Sequence, residues 1–187
     1  MHNMDGESAH YIPELASIDP NITGAAIQVC NGDVYQSGDA GDKRFTLQSA
    51  AKLAILIGLL EEYGPEAVFQ WVKAEPSGDD FSSVARLDQF GPRPSNPMLN
   101  SGAIALCGHV PGSAEHQLAW LEKWFERLFG EKLSVNMTVL ASERRTGHRN
   151  RSLAYLLKSN GIISGTVEHV LELYFTLCSF EATVKQA

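Results

Sequence analysis

A serine and a lysine three positions apart are the residues of this chain best suited to covalent chemistry. Ser49 and Lys52 lie within the segment 45–52, FTLQSAAK, and the apolar run 53–60 follows at once. Residues three apart share one face of a helix, so the lysine amine can reach the serine hydroxyl. Apolar surroundings lower the pKa of an amine, and a neutral amine can accept the hydroxyl proton. The spacing therefore favours a serine nucleophile activated by a lysine base.

The same pair of residues also has a purely structural interpretation. A Ser-x-x-Lys pair arises by chance about once in a chain of this length. Ser49 would then cap the helix, and Lys52 would be a solvated residue of its first turn. The remainder of the sequence has to decide between the two interpretations.

Composition restricts the class of protein. The 187 residues, 44% hydrophobic and 20% charged, are typical of one globular domain. The net charge of −7 argues against nucleic acid and anionic membrane surfaces as partners. No apolar run approaches the length of a membrane span. The N-terminal residues lack the basic and apolar parts of a signal peptide, which predicts a cytoplasmic location.

The cysteines and histidines give no sign of a disulfide framework or a metal site. Cys30, Cys107 and Cys178 are widely spaced among apolar neighbours, and we expect reduced thiols in the core. The six histidines show no metal-ligand spacing with acidic residues or cysteines, so the sequence predicts no metal.

Turn signals and hydrophobic periodicity predict few strands and many helices. Asn31-Gly32 between two β-prone segments predicts a hairpin, the one strand pair that we expect. A helix from about 49 to 63 should stop at Gly64-Pro65, and 75–99 reads as a turn-rich surface excursion. The other predicted helices are 8–18, a short one around 68–72, 100–110, 113–130, 148–159 and 167–178.

Two of these helices have distinctive faces. The 100–110 segment is rich in small residues, which suits close packing. The 113–130 segment begins at a capping Ser113 and ends at Gly130. Its predicted apolar face consists of Leu118, Leu121, Trp124, Phe125 and Leu128. A lone hairpin is marginal as a sheet beside so many helices, so we expect these elements to be part of a larger fold.

Several motifs in fixed order resemble one known family. The chain is similar, from about residue 10 to its last residue, to the glutaminases of the serine β-lactamase and penicillin-binding-protein fold. The motifs are 11–16 (YIPELA), 45–52 (FTLQSAAK), 75–78 (EPSG), 96–103 (NPMLNSGA), 142–143 (SE), 149–151 (RNR) and 173–175 (LYF).

The resemblance implies a fold, a reaction and a domain organisation. The fold would be α+β, with mostly the helical part and an N-terminal hairpin present. Residues 1–9 would be a flexible leader, and 10–187 a glutaminase domain without its C-terminal strands and closing helix. The reaction would convert L-glutamine and water to L-glutamate and ammonia, without metal or cofactor. The full-length family forms homo-oligomers.

The resemblance also implies a role for individual residues. Ser49 would carry the acyl group and Lys52 would be its general base. Asn100 would hold the substrate through its side-chain amide. Glu143 and Asn150 would engage the α-amino and α-carboxylate ends of glutamine, which suits a carboxylate and an amide donor.

Two tyrosines complete the implied site, and each binding residue keeps a structural alternative. Tyr174 would border the reacting amide, and Tyr11 is a further candidate there. Outside the family pattern, Glu143 would be an exposed helix acid, the two asparagines would be caps and Tyr174 would be a core aromatic.

This sequence departs from the family pattern in two ways. Ala51 stands where a second serine is common, and Ser101 stands where alanine is common; both residues are small. Family members also continue beyond residue 187 through a second catalytic tyrosine and a Lys-Ser-Gly-type strand that contributes to the oxyanion hole. The segments 158–161 (KSNG) and 134–136 (SVN) are set between predicted helices, so we do not equate them with strand motifs.

Two other functions stay open at this point. One is an inactive truncated glutaminase fragment or a helical association module, which the absent strands favour. The other is a penicillin-binding or β-lactamase-like acyl enzyme with the same Ser-x-x-Lys logic. The glutamine-site residues argue against the second.

Overall fold

The structure is a computed structural model that describes residues 7–78, 80–83, 87 and 91–187. Residues 1–6 of the predicted leader and seven positions of the predicted 75–99 excursion (79, 84–86 and 88–90) lie outside the described residues. The helices among the described residues are α1 (Pro13–Ala16), α2 (Lys52–Trp71), α3 (Asn100–Cys107), α4 (Ala114–Phe129), α5 (Met137–Thr146), α6 (His148–Ser159) and α7 (Val167–Cys178). The strands are β1 (Gly24–Gln28), β2 (Val34–Gly38), β3 (Arg44–Thr46), β4 (Ser134–Val135) and β5 (Phe180–Thr183).

The predicted hairpin is present, and it is exposed on both faces. Strands β1 and β2 pair antiparallel, with Ile27 opposite Tyr35. These two side chains are 65% and 63% exposed, and every residue of β2 is exposed. The hairpin therefore contributes little to the core and leaves its strand edges unpaired within the described residues.

A second sheet shows that the prediction of a lone hairpin was wrong. Strands β3, β5 and β4 form an antiparallel sheet in that spatial order. Arg44 lies opposite Thr183, and Ser134 lies opposite Glu181. Residues 134 and 135 of the 134–136 segment thus form strand β4, and Asn136 caps α5. Strands of two to four residues are too short to give a periodic signal.

The N-terminal helix is shorter than predicted. Helix α1 covers only Pro13–Ala16 rather than 8–18. A residue that precedes proline is disfavoured in helical conformation. Ile12 accordingly has an extended backbone, with φ −132° and ψ 148°, so the helix begins only at Pro13.

The helix that carries Lys52 begins one turn later than predicted and bends where a stop was expected. Ser49 lies in a 3₁₀ turn, Gln48–Ala51, that runs directly into α2. Gly64 has φ 76° and ψ 165°, which interrupts the helical backbone at the predicted Gly64-Pro65 break. The two helices predicted on either side of that break are therefore the two halves of α2.

Helix α3 lies at the centre of the fold. Residues 101–107 are all buried, and α3 contacts α2, α6 and α7. The small side chains of Ala103 and Ala105 suit these close approaches, as the sequence predicted, and Gly102 lies against the Asn96 carbonyl. Asn100, the first residue of α3, is thereby fixed with respect to three neighbouring helices.

The remaining helices agree with the predictions in part. Helices α6 and α7 have the predicted bounds, 148–159 and 167–178. Helix α5 was not predicted as an element; its N-cap is Asn136, whose side chain accepts hydrogen bonds from the Thr138 and Val139 backbone amides. None of the helices in the described part of the chain is long and apolar enough to cross a membrane.

Two predictions of burial need correction. On α4, Leu121, Trp124 and Phe125 are buried, whereas Leu118 and Leu128 are 39% and 42% exposed. Gln117 is buried in their place, because its side chain donates to the Val110 carbonyl at 2.6 Å.

The cysteines also differ from one another. Cys107 and Cys178 are buried as predicted, but Cys30 is exposed beside the tight turn of the hairpin. The apolar neighbours of Cys30 misled the prediction because they belong to a hairpin that packs against little else.

Gly102 offers a test of the close packing around α3. A methyl group at Gly102 would overlap the Asn96 carbonyl oxygen and lie 2.9 Å from the Pro97 Cα. We expect Gly102→Ala to lower the free energy of unfolding by about 1–3 kcal/mol, as overpacked cores do. Gly78→Ala is the matched control, because nothing lies within 4 Å of its added methyl group. Equal urea midpoints for the two variants would contradict this view of α3.

Candidate functional site

The six binding and nucleophilic residues predicted from the sequence line one cleft. The cleft has a volume of about 420 Å³. Its walls come from the segment before α1, the 3₁₀ turn, the start of α3, and helices α5, α6 and α7. The predicted residues that line it are Tyr11, Ser49, Asn100, Glu143, Asn150 and Tyr174.

Lys52 lies beneath the cleft with its amine enclosed. The side chain has no solvent exposure. Its Nζ donates to the Met98 carbonyl at 2.8 Å and to the Asn100 Oδ1 at 2.7 Å. The expected hydrogen bond with Ser49 is not among the contacts of Lys52 in the described residues. Ser49 therefore lines the cleft, whereas the enclosed lysine amine is held by two carbonyl oxygens.

Burial changes the protonation of Lys52. It lowers the pKa of the amine from 10.5 to about 8, and the nearby Cys178 thiol opposes part of that change. A neutral amine has two N–H donors and one lone pair, whereas an ammonium has three donors. The two carbonyl acceptors use both donors of a neutral amine and leave its lone pair free. The surroundings of Lys52 thus suit a proton acceptor.

The Asn100 side chain connects Lys52 to the wall of the cleft. Its Oδ1 accepts the hydrogen bond from Lys52, and its Nδ2 donates to the Asn150 Oδ1 at 3.0 Å. Both ends of the amide are therefore fixed by partners. A change at Asn150 is transmitted to the lysine amine through a single side chain.

Glu143 is a buried carboxylate that faces the cleft. It is 6% exposed and forms no ion pair within the described part of the chain. Burial raises the pKa of its carboxyl, and the side chain of Gln48 lowers it in part. A buried anion without an ion-pair partner strongly favours a cationic ligand. The cleft therefore has a place for an ammonium group.

The two tyrosines occupy different depths of the cleft. Tyr174 is 3% exposed, and burial raises the pKa of its phenol well above the ordinary value. It is consequently a neutral hydrogen-bond donor at neutral pH. Tyr11 lies at the mouth, 59% exposed, and its hydroxyl donates to the Gln48 Oε1 at 2.8 Å.

Gln48 is a cleft residue that the sequence analysis missed. It has φ 47°, the one positive φ of a non-glycine residue in the described ranges. Such a conformation is sparsely populated and often found at functional sites. Gln48 precedes Ser49 and lines the cleft with it. Its place inside the FTLQSAAK motif was the only available signal, since sequence does not reveal a positive φ.

A short segment of the turn-rich excursion covers part of the cleft and was also missed. The Phe81 ring centre lies 5.2 Å from the Lys52 Nζ. The Phe81 carbonyl accepts a hydrogen bond from the backbone N–H of Asn100 at 2.8 Å. The Arg149 Nε donates to the Ser82 carbonyl at 2.7 Å. Phe81, an aromatic residue in a polar turn, was the one sequence signal for this cover.

Together these groups can bind a zwitterion and attack a neighbouring carbonyl carbon. Glu143 supplies a negative charge, and Asn150 supplies an amide group. Ser49 supplies a hydroxyl three residues before a buried lysine, and burial lowers the pKa of that lysine to about 8. These are the requirements for acyl transfer from an amide to a serine.

Comparisons with known proteins agree on one family. The sequence profile of the family described as "Glutaminase" matches residues 6–187. The glutaminase of Legionella pneumophila (strain Lens) is 53% identical over 184 residues. That match covers 98% of this chain and 59% of the relative. This chain therefore spans about three fifths of the length of the curated relatives it matches.

Solved structures give the same result for the fold. The probable glutaminase ybaS superposes with a TM-score of 0.93 at 34% identity, over 97% of this chain and 59% of that one. A crystal structure of Mglu in its L-glutamate-binding form has a TM-score of 0.89 at 35% identity, over 97% and 41% of the two chains. The fold is thus the α+β glutaminase fold, which is β-lactamase-like, as predicted.

The burial of Lys52 makes a prediction about stability and pH. Between pH 8 and pH 10.5 the unfolded chain holds a proton on Lys52 that the folded chain has released, so stability rises with pH across that range. Lys52→Met removes this dependence. We expect the free energy of unfolding of the variant, relative to that of the wild type, to be roughly 3 kcal/mol larger at pH 7 than at pH 10.5.

Urea unfolding at both pH values measures this difference directly. Lys132→Met, which replaces an exposed lysine, is the control and should change stability by the same amount at both pH values. An equal effect of Lys52→Met at pH 7 and pH 10.5 would mean that the amine is not held in dry surroundings.

Proposed function

This chain belongs to the glutaminase family, and from that premise we propose that its cleft binds L-glutamine and hydrolyses the side-chain amide. The products are L-glutamate and ammonia, and no metal or cofactor takes part. The observation that carries the proposal is the convergence on one cleft of six predicted residues from six separate segments, one of which, Asn100, is hydrogen-bonded to a buried lysine.

The proposed substrate orientation follows from the charges around the cleft. Glu143 binds the α-ammonium group, because it is buried without an ion-pair partner in the described ranges. The Asn150 amide, whose Oδ1 accepts from Asn100, engages the α-carboxylate end and adds no competing charge. Mglu, the relative solved in its L-glutamate-binding form, supports a ligand with this zwitterionic end.

The reaction proceeds through an acyl-enzyme in this proposal. The neutral Lys52 amine accepts the Ser49 proton through the lone pair that its two carbonyl partners leave free. The Ser49 Oγ attacks the amide carbon, and the tetrahedral intermediate collapses as the departing nitrogen takes a proton and leaves as ammonia. Water then attacks the γ-glutamyl ester, which releases glutamate and restores the Ser49 hydroxyl.

Tyr174 and Tyr11 have supporting roles. The buried Tyr174 phenol is a neutral donor that can stabilise developing charge or deliver a proton near the reacting amide. Tyr11 lines the cleft and is held there by its hydrogen bond to Gln48.

Three further expectations belong to the proposal. A cytoplasmic location, assembly into homo-oligomers and the division into a leader (1–9) and a glutaminase domain (10–187) stay predictions. The oligomeric state is measured by light scattering at several protein concentrations.

The rival β-lactam chemistry has no support from Glu143, which suits an ammonium group.

The experiment that tests the proposal uses two proteins. One is the 187-residue chain, and the other is the same chain joined at its C-terminal end to the part of the Legionella pneumophila relative that the match leaves uncovered. We call the second protein the completed chain. Glutamine-dependent release of ammonia is measured for both, and Ser49→Ala should abolish it. Release that persists in Ser49→Ala would overturn the proposal.

Glu143 carries the prediction about substrate recognition. In the completed chain, Glu143→Gln should weaken glutamine binding more than it slows the chemical step. Removal of one partner of a buried charge pair costs about 3–5 kcal/mol. Glu115→Gln, which changes an exposed glutamate at the start of α4, is the control and should leave both kinetic constants unchanged. A KM for glutamine within about twofold of the wild type would make the ammonium assignment wrong.

The length of the chain gives a second prediction. The resemblance assigns an oxyanion donor and a second catalytic tyrosine to the part of the relatives that this chain does not match. Loss of one oxyanion donor slows acyl transfer by about 10²–10³-fold. We expect the 187-residue chain to release ammonia at least that much more slowly than the completed chain at equal concentration.

The two rates also bear on the inactive-fragment alternative. Activity in the completed chain and little in the 187 residues supports the site and its need for the added part, and agrees with an inactive fragment of 187 residues. Comparable Ser49-dependent rates in the two proteins would show that the 187 residues suffice.

A further inference from the structure

An asparagine outside the cleft organises the stretch of backbone that Lys52 contacts. Asn96 lies just before Pro97 and is not one of the described residues that line the cleft. Its Oδ1 accepts hydrogen bonds from the Met98 backbone N–H at 3.0 Å and from the Leu99 backbone N–H at 3.1 Å. An Asx turn of this kind uses a side-chain oxygen to fix the backbone of the residues that follow. The peptide units on both sides of Met98 are therefore held by one side chain.

The peptide unit between Met98 and Leu99 connects Asn96 to Lys52. The C=O and N–H groups of a trans peptide lie in one plane and point in opposite directions. The Leu99 N–H donates to the Asn96 Oδ1, and the Met98 carbonyl accepts from the Lys52 Nζ at 2.8 Å. Because the two groups belong to one rigid plane, the hydrogen bond at one end sets the direction of the other.

The other half of the Asn96 side chain is fixed to a distant segment. Its Nδ2 donates to the Glu75 carbonyl at 2.9 Å, in the segment that follows α2. A backbone hydrogen bond of 2.8 Å, from the Glu75 N–H to the Ser95 carbonyl, joins the same two segments. Both ends of the Asn96 amide therefore have partners, so the turn cannot rotate freely. Two of the family-like motifs, 75–78 (EPSG) and 96–103 (NPMLNSGA), meet at this side chain.

The direction of the Met98 carbonyl matters because of the geometry of an amine. In the part of the chain that the structure describes, the Lys52 Nζ donates to this carbonyl and to the Asn100 Oδ1. When both N–H groups of a neutral amine are held, its lone pair has only one direction left. If the Met98 carbonyl turned away, the amine could rotate about its last C–N bond. The lone pair would then no longer point in a fixed direction.

We propose that Asn96 is a positioning residue that directs the Met98 carbonyl at the Lys52 amine and thereby orients the base. The proposal rests on the proposed glutaminase function. Asn96 touches neither the substrate nor the reacting atoms in this account. It acts only through the peptide unit between Met98 and Leu99.

Kinetics of the completed chain test this role. Asn96→Ala removes the acceptor of both backbone N–H groups, so kcat should fall about tenfold, the effect of one hydrogen bond. KM should stay within about twofold, because the substrate contacts are unchanged. Asn96→Asp keeps an oxygen that can form the same turn and should hold kcat within about threefold of the wild type. Equal losses of kcat in the two variants, at equal folded fraction, would overturn the proposal.

Asn31→Ala is the matched control for the loss of an Asx turn. The Asn31 Oδ1 accepts from the Asp33 backbone N–H at 3.0 Å in the exposed hairpin, and Asn31 does not line the cleft. This variant should leave kcat unchanged when rates are expressed per folded protein. A loss as large as that of Asn96→Ala would mean that breaking any such turn has this effect, and the proposal would fail.

Nuclear magnetic resonance tests the positioning without reference to activity. Residues 98–99 are the one Met-Leu pair in the 187-residue chain. With ¹³C on the methionine carbonyl carbons and ¹⁵N on the leucines, a spectrum that correlates each amide with the preceding carbonyl contains one signal. The amide shifts of that signal report the hydrogen bond to Asn96. Its carbonyl carbon shift reports the hydrogen bond from Lys52.

The two halves of this signal decide the proposal. Lys52→Met should move the carbonyl carbon shift, and Asn96→Ala should move it in the same direction. A carbonyl shift that stays unchanged in Asn96→Ala, although the Leu99 amide shift moves, would overturn the proposal. If the completed chain shows no Ser49-dependent ammonia release, the proposed function fails, and the catalytic role of Asn96 fails with it. The resonance result then still decides whether Asn96 directs the Met98 carbonyl at Lys52.

Discussion

A lysine amine enclosed beneath the cleft is the constraint on which the rest of the structure depends. A charged ammonium in dry surroundings is costly, and the structure relieves that cost in two ways. The Met98 carbonyl and the Asn100 side chain accept the two N–H groups of a neutral amine. Burial also moves the pKa of Lys52 to about 8, so the amine can lose its proton near neutral pH. The property that suits Lys52 to the proposed role of base thus follows from its place in the fold.

The elements around Lys52 are arranged as this constraint requires. Residues 101–107 of α3 are buried, and most of them have small side chains. Helix α3 can therefore lie against α2 and bring Asn100 to the lysine. Asn100 then connects the amine to Asn150 on α6, which lines the cleft. Glu143 and Tyr174, from α5 and α7, complete that wall with one buried anion and one neutral phenol. Base and binding groups therefore depend on the packing of the same few helices.

Two kinds of feature could be predicted from the sequence. They are the helices and turns that have strong local signals, and the cleft residues that lie within family motifs. The Asn31-Gly32 turn and the periodic helices α6 and α7 are examples, because each signal lies within its own segment. Strands β3, β4 and β5 were missed because two to four residues give no period and their pairing is set by distant parts of the chain. The positive φ of Gln48 and the cover formed by Phe81 were missed for a similar reason. Both depend on how distant parts of the chain pack together, and neither is recorded in the pattern of neighbouring residues.

The central claim is that Ser49, activated by Lys52, carries the γ-glutamyl group of glutamine. Rapid acid quenching of the completed chain during turnover, followed by mass spectrometry of its peptides, tests this claim most directly. The account predicts a γ-glutamyl adduct on the peptide that contains Ser49, and no adduct in Ser49→Ala or Lys52→Met. Ammonia release with no adduct on that peptide, or an adduct of undiminished amount in Lys52→Met, would contradict it.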